Sequence, residues 1–135
     1  MCHNGIHGCR PEALSRWLDD ELWSVELEDV ELEREGVLLA RRGRLLQWIP
    51  GWNDDARRDF AGWCLQRARD FAAARPGEKV SAMLAYVEEL LDAPALDTPM
   101  VAFCTAKIAA VVHPEEVQGE RRRQSEWLVE RLALS

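Results

Sequence analysis

Apolar residues recur at helical spacing through the second half of the chain. Between residues 53 and 134 they form four stripes with intervals of three and four positions, which predicts four amphipathic helices. Short connections between these helices favour antiparallel neighbours and therefore a bundle. The residues predicted to be buried are Phe60, Trp63, Phe71, Leu84, Val87, Leu91, Cys104, Ile108, Val111, Leu128 and Leu132.

The expected helix ends follow from the residues that interrupt these stripes. Asn53 or Asp54 can cap the first helix, because a short polar side chain there accepts a free backbone N–H. Pro76-Gly77 should end that helix. Thr98, which precedes a proline, is expected to cap the third helix, and Pro114 to begin the fourth.

A further helix is predicted near the start of the chain. Leu14, Trp17, Leu18 and Leu22 recur at spacings of three and four, and a proline precedes them at a position that suits a first helical turn. We therefore expect a helix over about residues 11–23.

The stretch between residues 25 and 49 changes to alternation of apolar residues with glutamate or arginine. Alternation predicts a short β-hairpin, although leucine and glutamate also favour helix. Glu35-Gly36 can form a two-residue turn that places Leu32 opposite Leu39, and Arg42-Gly43 could form a second turn. The chain is thus expected to be mainly α, with about four to five bundled helices and this hairpin.

Length and composition favour one soluble domain over residues 1–135. An apolar fraction of 47% and a charged fraction of 30% are typical of a globular protein. No apolar run is long enough to span a bilayer, and the first residues lack a basic-then-apolar signal pattern. We therefore expect a cytoplasmic protein without a membrane partner, in which the cysteines are reduced.

Negative charge is concentrated in the first quarter of the chain. Residues 1–36 hold ten acidic residues against three arginines, whereas the remainder is balanced, so the whole net charge of −7 belongs to this part. Such asymmetry steers basic partners. The alternative is that these acids pair with the arginines at positions 41, 42 and 44 of the same molecule. The acids predicted to contact a partner are Glu26, Glu28, Asp29, Glu31, Glu33 and Glu35.

Six tryptophans are a large number for 135 residues. Most are expected to fill the core, but tryptophan is also enriched at the centres of protein interfaces. Trp52 follows Pro50-Gly51 and lies off every apolar stripe, so it is predicted to be exposed and to belong to the partner-binding surface.

Four potential metal ligands lie within the first nine residues. Cys2, His3, His7 and Cys9 are the ligand types of a tetrahedral structural zinc site. Their spacing matches no standard zinc finger, so two alternatives remain for residues 1–9. One is an irregular segment without metal, and the other is a disulfide between Cys2 and Cys9.

No pattern in the chain indicates catalysis. It lacks a nucleophile elbow, a glycine-rich phosphate loop and a His-Glu-x-x-His helix, so no enzymatic activity is expected. Two arginine runs, within residues 41–44 and 121–123, could contact nucleic acid. Neighbouring glutamates and the overall charge of −7 argue against nucleic acid as the partner.

Three segments of the predicted helices share a pattern of alanine, tryptophan, cysteine and arginine. They are Arg57-Arg58-x-Phe60-Ala61-x-Trp63-Cys64-x-x-Arg67-Ala68, Ala102-x-Cys104-x-Ala106-Lys107-x-Ala109-Ala110 and Glu120-Arg121-x-x-Gln124-x-x-Trp127-Leu128. Through these segments, residues 55–132 resemble the alanine-rich, all-helical family assigned as immunity proteins of bacterial polymorphic toxin systems. The resemblance implies a binding protein that neutralises a partner, and it carries over no catalytic or binding residues.

The predicted function is non-catalytic binding of another protein. The acidic segment indicates that this partner is basic, such as a toxin. Two alternatives are a metal-binding accessory or regulatory module and a helical adaptor or small subunit of a larger bacterial complex. The expected cofactor is none, or one structural zinc ion held by the N-terminal cysteines and histidines.

Overall fold

The computed structural model describes residues 6–134 and shows a mainly α fold that carries a small antiparallel sheet. No helix within these residues combines the length and the apolar character needed to cross a membrane. The elements in chain order are β1 (Ile6–Cys9), a 3-10 helix (Pro11–Arg16), β2 (Trp23–Arg34), β3 (Val37–Trp48), α1 (Asp54–Ala74), α2 (Glu78–Asp92), α3 (Thr98–Val112), a second 3-10 helix (Pro114–Glu116) and α4 (Val117–Arg131).

The four predicted helices are confirmed, but two of their predicted starts were wrong. Pro114 begins the second 3-10 helix, and α4 begins at Val117. The Asn53 side chain accepts the Ala56 N–H at 2.9 Å and caps α1. The cap of α3 is Asp97, whose carboxylate accepts the Met100 N–H at 3.1 Å. The prediction of Thr98 as this cap was wrong, because its side chain points into the core and is buried.

Helix α3 lies at the centre of the helical part and packs against α1, α2 and α4. Its buried alanines at positions 102, 106 and 109 allow the neighbouring helices to approach closely. Of the eleven residues predicted to be buried, four are fully buried and seven are half-buried against the core. The buried ones are Phe60, Val87, Ile108 and Leu128, and the half-buried ones are Trp63, Phe71, Leu84, Leu91, Cys104, Val111 and Leu132.

The helix predicted over residues 11–23 was wrong in length and type. Only a 3-10 helix forms, and it ends at Arg16. The three leucines at positions 14, 18 and 22 are nevertheless all buried. Helical spacing therefore identified the inward-facing leucines correctly but not the backbone that presents them.

Hydrogen bonds to α4 hold the 3-10 helix in place. The Ser15 N–H donates to Ser125 Oγ at 3.0 Å, and Ser15 Oγ donates to the Arg121 carbonyl at 2.8 Å. The Arg121 guanidinium in turn donates to the Ser15 carbonyl at 3.1 Å. These bonds fix the start of the chain against the last helix.

The sheet contains the predicted hairpin and one strand more. Strands β2 and β3 are joined at Glu35-Gly36, where both residues have positive φ (51° and 80°), as a type I′ turn requires. Leu32 lies opposite Leu39, as predicted. The second turn proposed at Arg42-Gly43 was wrong, because both residues lie inside β3 and Gly43 faces Leu27.

The third strand, β1, gives the sheet the order β1-β3-β2. It pairs with residues 37–40 at the start of β3. The expectation of an irregular segment over residues 1–9 was therefore wrong for residues 6–9, and positions 1–5 lie outside the described residues.

Candidate functional site

The base of the hairpin, residues 23–28 and 42–48, has one apolar and one charged side. Residues that face each other across paired strands project to the same side, and successive pairs alternate between sides. A bulge at Leu46 preserves this separation in β3. The cross-strand pairs on the apolar side are Trp23 with Trp48 and Val25 with Leu45, and those on the charged side are Glu26 with Arg44 and Glu28 with Arg42.

The apolar side of this base is open to solvent. We call Trp23, Val25, Leu45 and Trp48 the hairpin apolar face; their exposed fractions are 42%, 38%, 62% and 49%. Seven of the eleven large hydrophobic residues exposed in the described part of the chain belong to β2 and β3. Single exposed hydrophobic residues are ordinary, but a concentration of them is typical of an interaction surface.

A cleft of about 600 Å³ continues the hairpin apolar face toward the start of the chain. Trp23 and Val25 form one wall, and Leu14 and Trp17 contribute to another. The Trp17 ring stacks on the His7 ring with their centroids 6.0 Å apart. The hairpin apolar face and this cleft meet at Trp23 and Val25, and the cleft also presents polar groups of His7, Ser24 and Gln47.

All six acids predicted to bind a partner form ion pairs inside the molecule. These pairs lie at the surface, with carboxylate side chains 43–65% exposed, so solvent screens them. The pairs are Glu26 with Arg44 (3.3 Å), Glu28 with Arg42 (3.9 Å), Asp29 with Arg42 (2.8 Å), Glu31 with Arg41, Glu33 with Arg10 and Glu35 with Arg16 (3.5 Å). Intramolecular pairing is thus present and reduces the field that these acids create.

Trp52 is not exposed, and that part of the prediction was wrong. Only 3% of the residue is accessible, and its ring packs edge-on against Phe60 at 6.2 Å. The indole Nε1 donates to the Asp19 carbonyl at 2.7 Å. The turn after Pro50 folds Trp52 back against the segment before β2, so this side chain belongs to the core.

The N-terminal metal candidates are only partly covered by the structure. Cys2 and His3 lie outside the described residues, whereas His7 and Cys9 lie two positions apart on β1 and both line the cleft. Among residues 6–134, no three His, Cys, Asp or Glu side chains are grouped so that they could hold a metal ion. Burial raises the pKa of Cys9 to about 11.

The other two described cysteines behave as small apolar side chains. Burial raises the thiol pKa of both Cys64 and Cys104. A nucleophilic cysteine requires a lowered pKa, so neither residue is prepared for nucleophilic attack.

Sequence reasoning missed the exposure of Trp23, Leu45 and Trp48. A signal was present, because the alternating segment that supplies the hairpin has no second run of strand-forming residues to cover its apolar side. Counting the expected strands would have left that side uncovered. A second signal of this exposed surface was the tryptophan at the first position of β2 and the tryptophan at the last position of β3.

Comparisons of this chain with protein-family models, curated proteins and solved structures find no match. Function is therefore inferred from the structure itself. The relevant features are the hairpin apolar face, the cleft beside it and the charged side chains on the opposite side of the hairpin base.

Proposed function

We propose that this protein binds another protein through the hairpin apolar face and performs no catalysis. The observation that carries the proposal is the concentration of exposed apolar side chains on β2 and β3, which includes Trp23 and Trp48. Tryptophan side chains commonly dominate binding energy because they bury a large area with little loss of conformational freedom. The adjoining cleft can accept an apolar side chain of the partner.

The partner that fits best is a basic protein, and a toxin neutralised by this chain is the narrower form of the proposal. The net charge of −7 in residues 1–36 supports a basic partner, and the resemblance of residues 55–132 supports neutralisation. A helical adaptor or small subunit would use the same surface, and the identity of the partner decides between these roles.

Site-specific photocrosslinking in the source cells tests the proposal. Leu45 is replaced with a photoreactive phenylalanine analogue, because it is the most exposed residue of the hairpin apolar face. The matched control carries the same analogue at Phe103, which is 48% exposed on α3. We expect Leu45 to yield one dominant adduct with a different, basic protein and Phe103 to yield none.

Two results would contradict this proposal. Equal adducts from both positions would show that the hairpin has no special role in binding. An adduct between two copies of this chain would show that the hairpin apolar face is covered by self-association.

A structural zinc site is a second proposal, favoured by the placement of His7 and Cys9 on β1. Alternate residues of a strand project to the same side, so these two can approach one ion. Cys2 and His3 would complete the ligand set. Native mass spectrometry of the untagged protein should then show one zinc ion per chain, which Cys2→Ser with Cys9→Ser should remove. A metal-free wild-type mass would contradict the site.

A further inference from the structure

The outer edge of β2 has no strand partner among the described residues. β2 is the last strand in the order β1-β3-β2, and within residues 6–134 its backbone ladder hydrogen bonds are formed with β3 alone. The regular part of this edge is residues 23–28, about 20 Å long at 3.2–3.4 Å per residue, because Asp29 has a φ of 55° and the pairing with β3 is irregular between Val30 and Leu32. Such an edge presents backbone donors and acceptors to any extended chain that lies beside it.

The side chains of β2 define the kind of strand that fits this edge. Along the base of the hairpin, apolar residues on one side alternate with Glu26 and Glu28 on the other. On the inner edge, β3 matches this pattern, because it places arginines opposite the two glutamates and Leu45 opposite Val25. A strand on the outer edge needs the same alternation of basic and apolar residues, since opposite charges across paired strands attract.

The two glutamates retain the capacity to bind a second cation. Glu26 and Glu28 lie 3.3 and 3.9 Å from their β3 arginines, and their side chains are 45% and 58% exposed. An ionised carboxylate offers two oxygens and about four acceptor sites, which one arginine does not fill. A lysine or arginine on the outer side can therefore approach the same carboxylates.

A second copy of this chain fits the edge poorly. Pairing β2 with another β2 would place glutamates beside glutamates, and like charges across paired strands repel. The open edge of β3 is basic, but β1 covers residues 37–40 and a bulge interrupts the remainder at Leu46. A copy could thus offer only residues 41–45 of β3, whose three arginines already pair with acids of their own hairpin.

We propose that the outer edge of β2 receives, as an added strand, an extended segment of a basic partner in which Lys or Arg alternates with apolar residues. This inference rests on the proposed protein-binding function and specifies its mode. Backbone hydrogen bonds would hold the segment, Glu26 and Glu28 would select its basic residues, and its apolar residues would extend the hairpin apolar face.

A synthetic peptide with the sequence of β3, residues 37–48, serves as the probe because this sequence places arginines opposite Glu26 and Glu28 and a leucine opposite Val25. Hydrogen exchange of the full chain is measured with and without the peptide. We expect backbone amides of β2 to exchange at least tenfold more slowly in the complex. A peptide in which the three arginines are replaced with glutamate should give no protection. Unchanged exchange in β2, or faster exchange in β3 through strand replacement, would overturn the proposal.

Charge reversal in the protein provides an independent arm. Glu26→Lys with Glu28→Lys should weaken binding of the β3 peptide at least tenfold, whereas Glu88→Lys with Glu89→Lys, on the exposed surface of α2, should leave it unchanged. Equal affinities of the two double variants would contradict selection by the β2 glutamates.

The two proposals can fail separately. A partner that crosslinks to position 45 but leaves β2 exchange unchanged would support binding by the hairpin apolar face and refute strand addition. The absence of any partner adduct, together with β2 protection by the peptide, would contradict the proposed function alone.

Discussion

Trp52 and Trp48 are only four positions apart, but one is buried in the core and the other is half exposed. Trp52 lies in a turn, yet it is buried and donates a hydrogen bond to the Asp19 carbonyl. Trp48 lies in a regular strand, yet it is half exposed. Contacts made by the rest of the fold, which a local pattern does not contain, decide the role of each side chain.

Replacement of Trp52 should therefore destabilise the protein strongly. Trp52→Ala should lower the free energy of unfolding by about 3–5 kcal/mol, because it removes a large buried ring. Trp52→Phe keeps most of the apolar contact and should cost about 1–2 kcal/mol for the lost hydrogen bond. Trp48→Ala is the matched control and should change the free energy of unfolding by less than about 1 kcal/mol. Urea denaturation measures all three, and equal effects at the two positions would contradict this assignment.

Glu120 is a buried charge that no sequence pattern revealed. It is fully buried in α4, and both of its carboxylate oxygens accept hydrogen bonds from the Arg67 guanidinium of α1 at 2.6 Å. The two residues are 53 positions apart, and each is surrounded in sequence by other charged residues. Only the packing of α4 near α1 distinguishes this pair from the surface charges.

Removal of the Glu120 charge should leave Arg67 partly buried without a counterion. Glu120→Gln is expected to lower the free energy of unfolding by about 3 kcal/mol, at the lower end for a broken buried pair because Arg67 reaches solvent. Glu116→Gln, which affects a surface pair with Arg123, should cost about 0–1 kcal/mol. Chemical denaturation at neutral pH compares the two, and a loss under 1 kcal/mol for Glu120→Gln would refute a stabilising role.

At the scale of elements, the sequence predicts secondary structure best where a local pattern is not overridden by contacts with distant residues. The four stripes and the Asn53 cap identify the helices correctly, and the Glu35-Gly36 turn gives the register of the hairpin. Residues 11–23 have helical spacing but do not form an α-helix. Hydrogen bonds from Ser15 to α4 hold the first part of this segment as a 3-10 helix that ends at Arg16. β1 has four residues and no alternation, so only its pairing with β3 identifies it.

The turn between β2 and β3 should be sensitive to a single added methyl group. Gly36 has a φ of 80°, and a Cβ at this position would lie 2.9 Å from the Ala13 Cβ. Gly36→Ala should therefore cost about 1–3 kcal/mol of unfolding free energy. Gly77→Ala is the matched control, because its backbone is extended and no atom lies within 4 Å of an added Cβ. Thermal unfolding compares them, and equal midpoints would contradict a strained turn.

At the scale of the whole molecule, charge and apolar surface occupy opposite sides of the base of one hairpin. The acidic character of the first 36 residues remains, but arginines from the same molecule accompany the six acids between positions 26 and 35. The exposed apolar residues of β2 and β3 remain open to solvent and are the stronger reason to expect binding. The sequence revealed the charge asymmetry, whereas the exposure of the hairpin required the fold.

Neutralising the paired acids should affect stability. Replacement of Glu26, Glu28, Glu31 and Glu33 with glutamine removes four exposed ion pairs, each of which contributes little. We expect the thermal midpoint to fall slightly at low salt and by less at high salt, because ions screen exposed pairs. An unchanged thermal midpoint would instead support the hypothesis that these acids act only by steering a partner.

The affinity of the Trp48→Ser variant for the crosslinked partner tests the central claim most directly. Isothermal titration of the purified proteins should show a loss of at least about 30-fold, which corresponds to about 2 kcal/mol for a residue at the centre of an interface. Phe103→Ser, at an equally exposed aromatic residue on α3, should bind like the wild type. If Trp48→Ser binds as tightly as Phe103→Ser, the hairpin apolar face is not the binding surface.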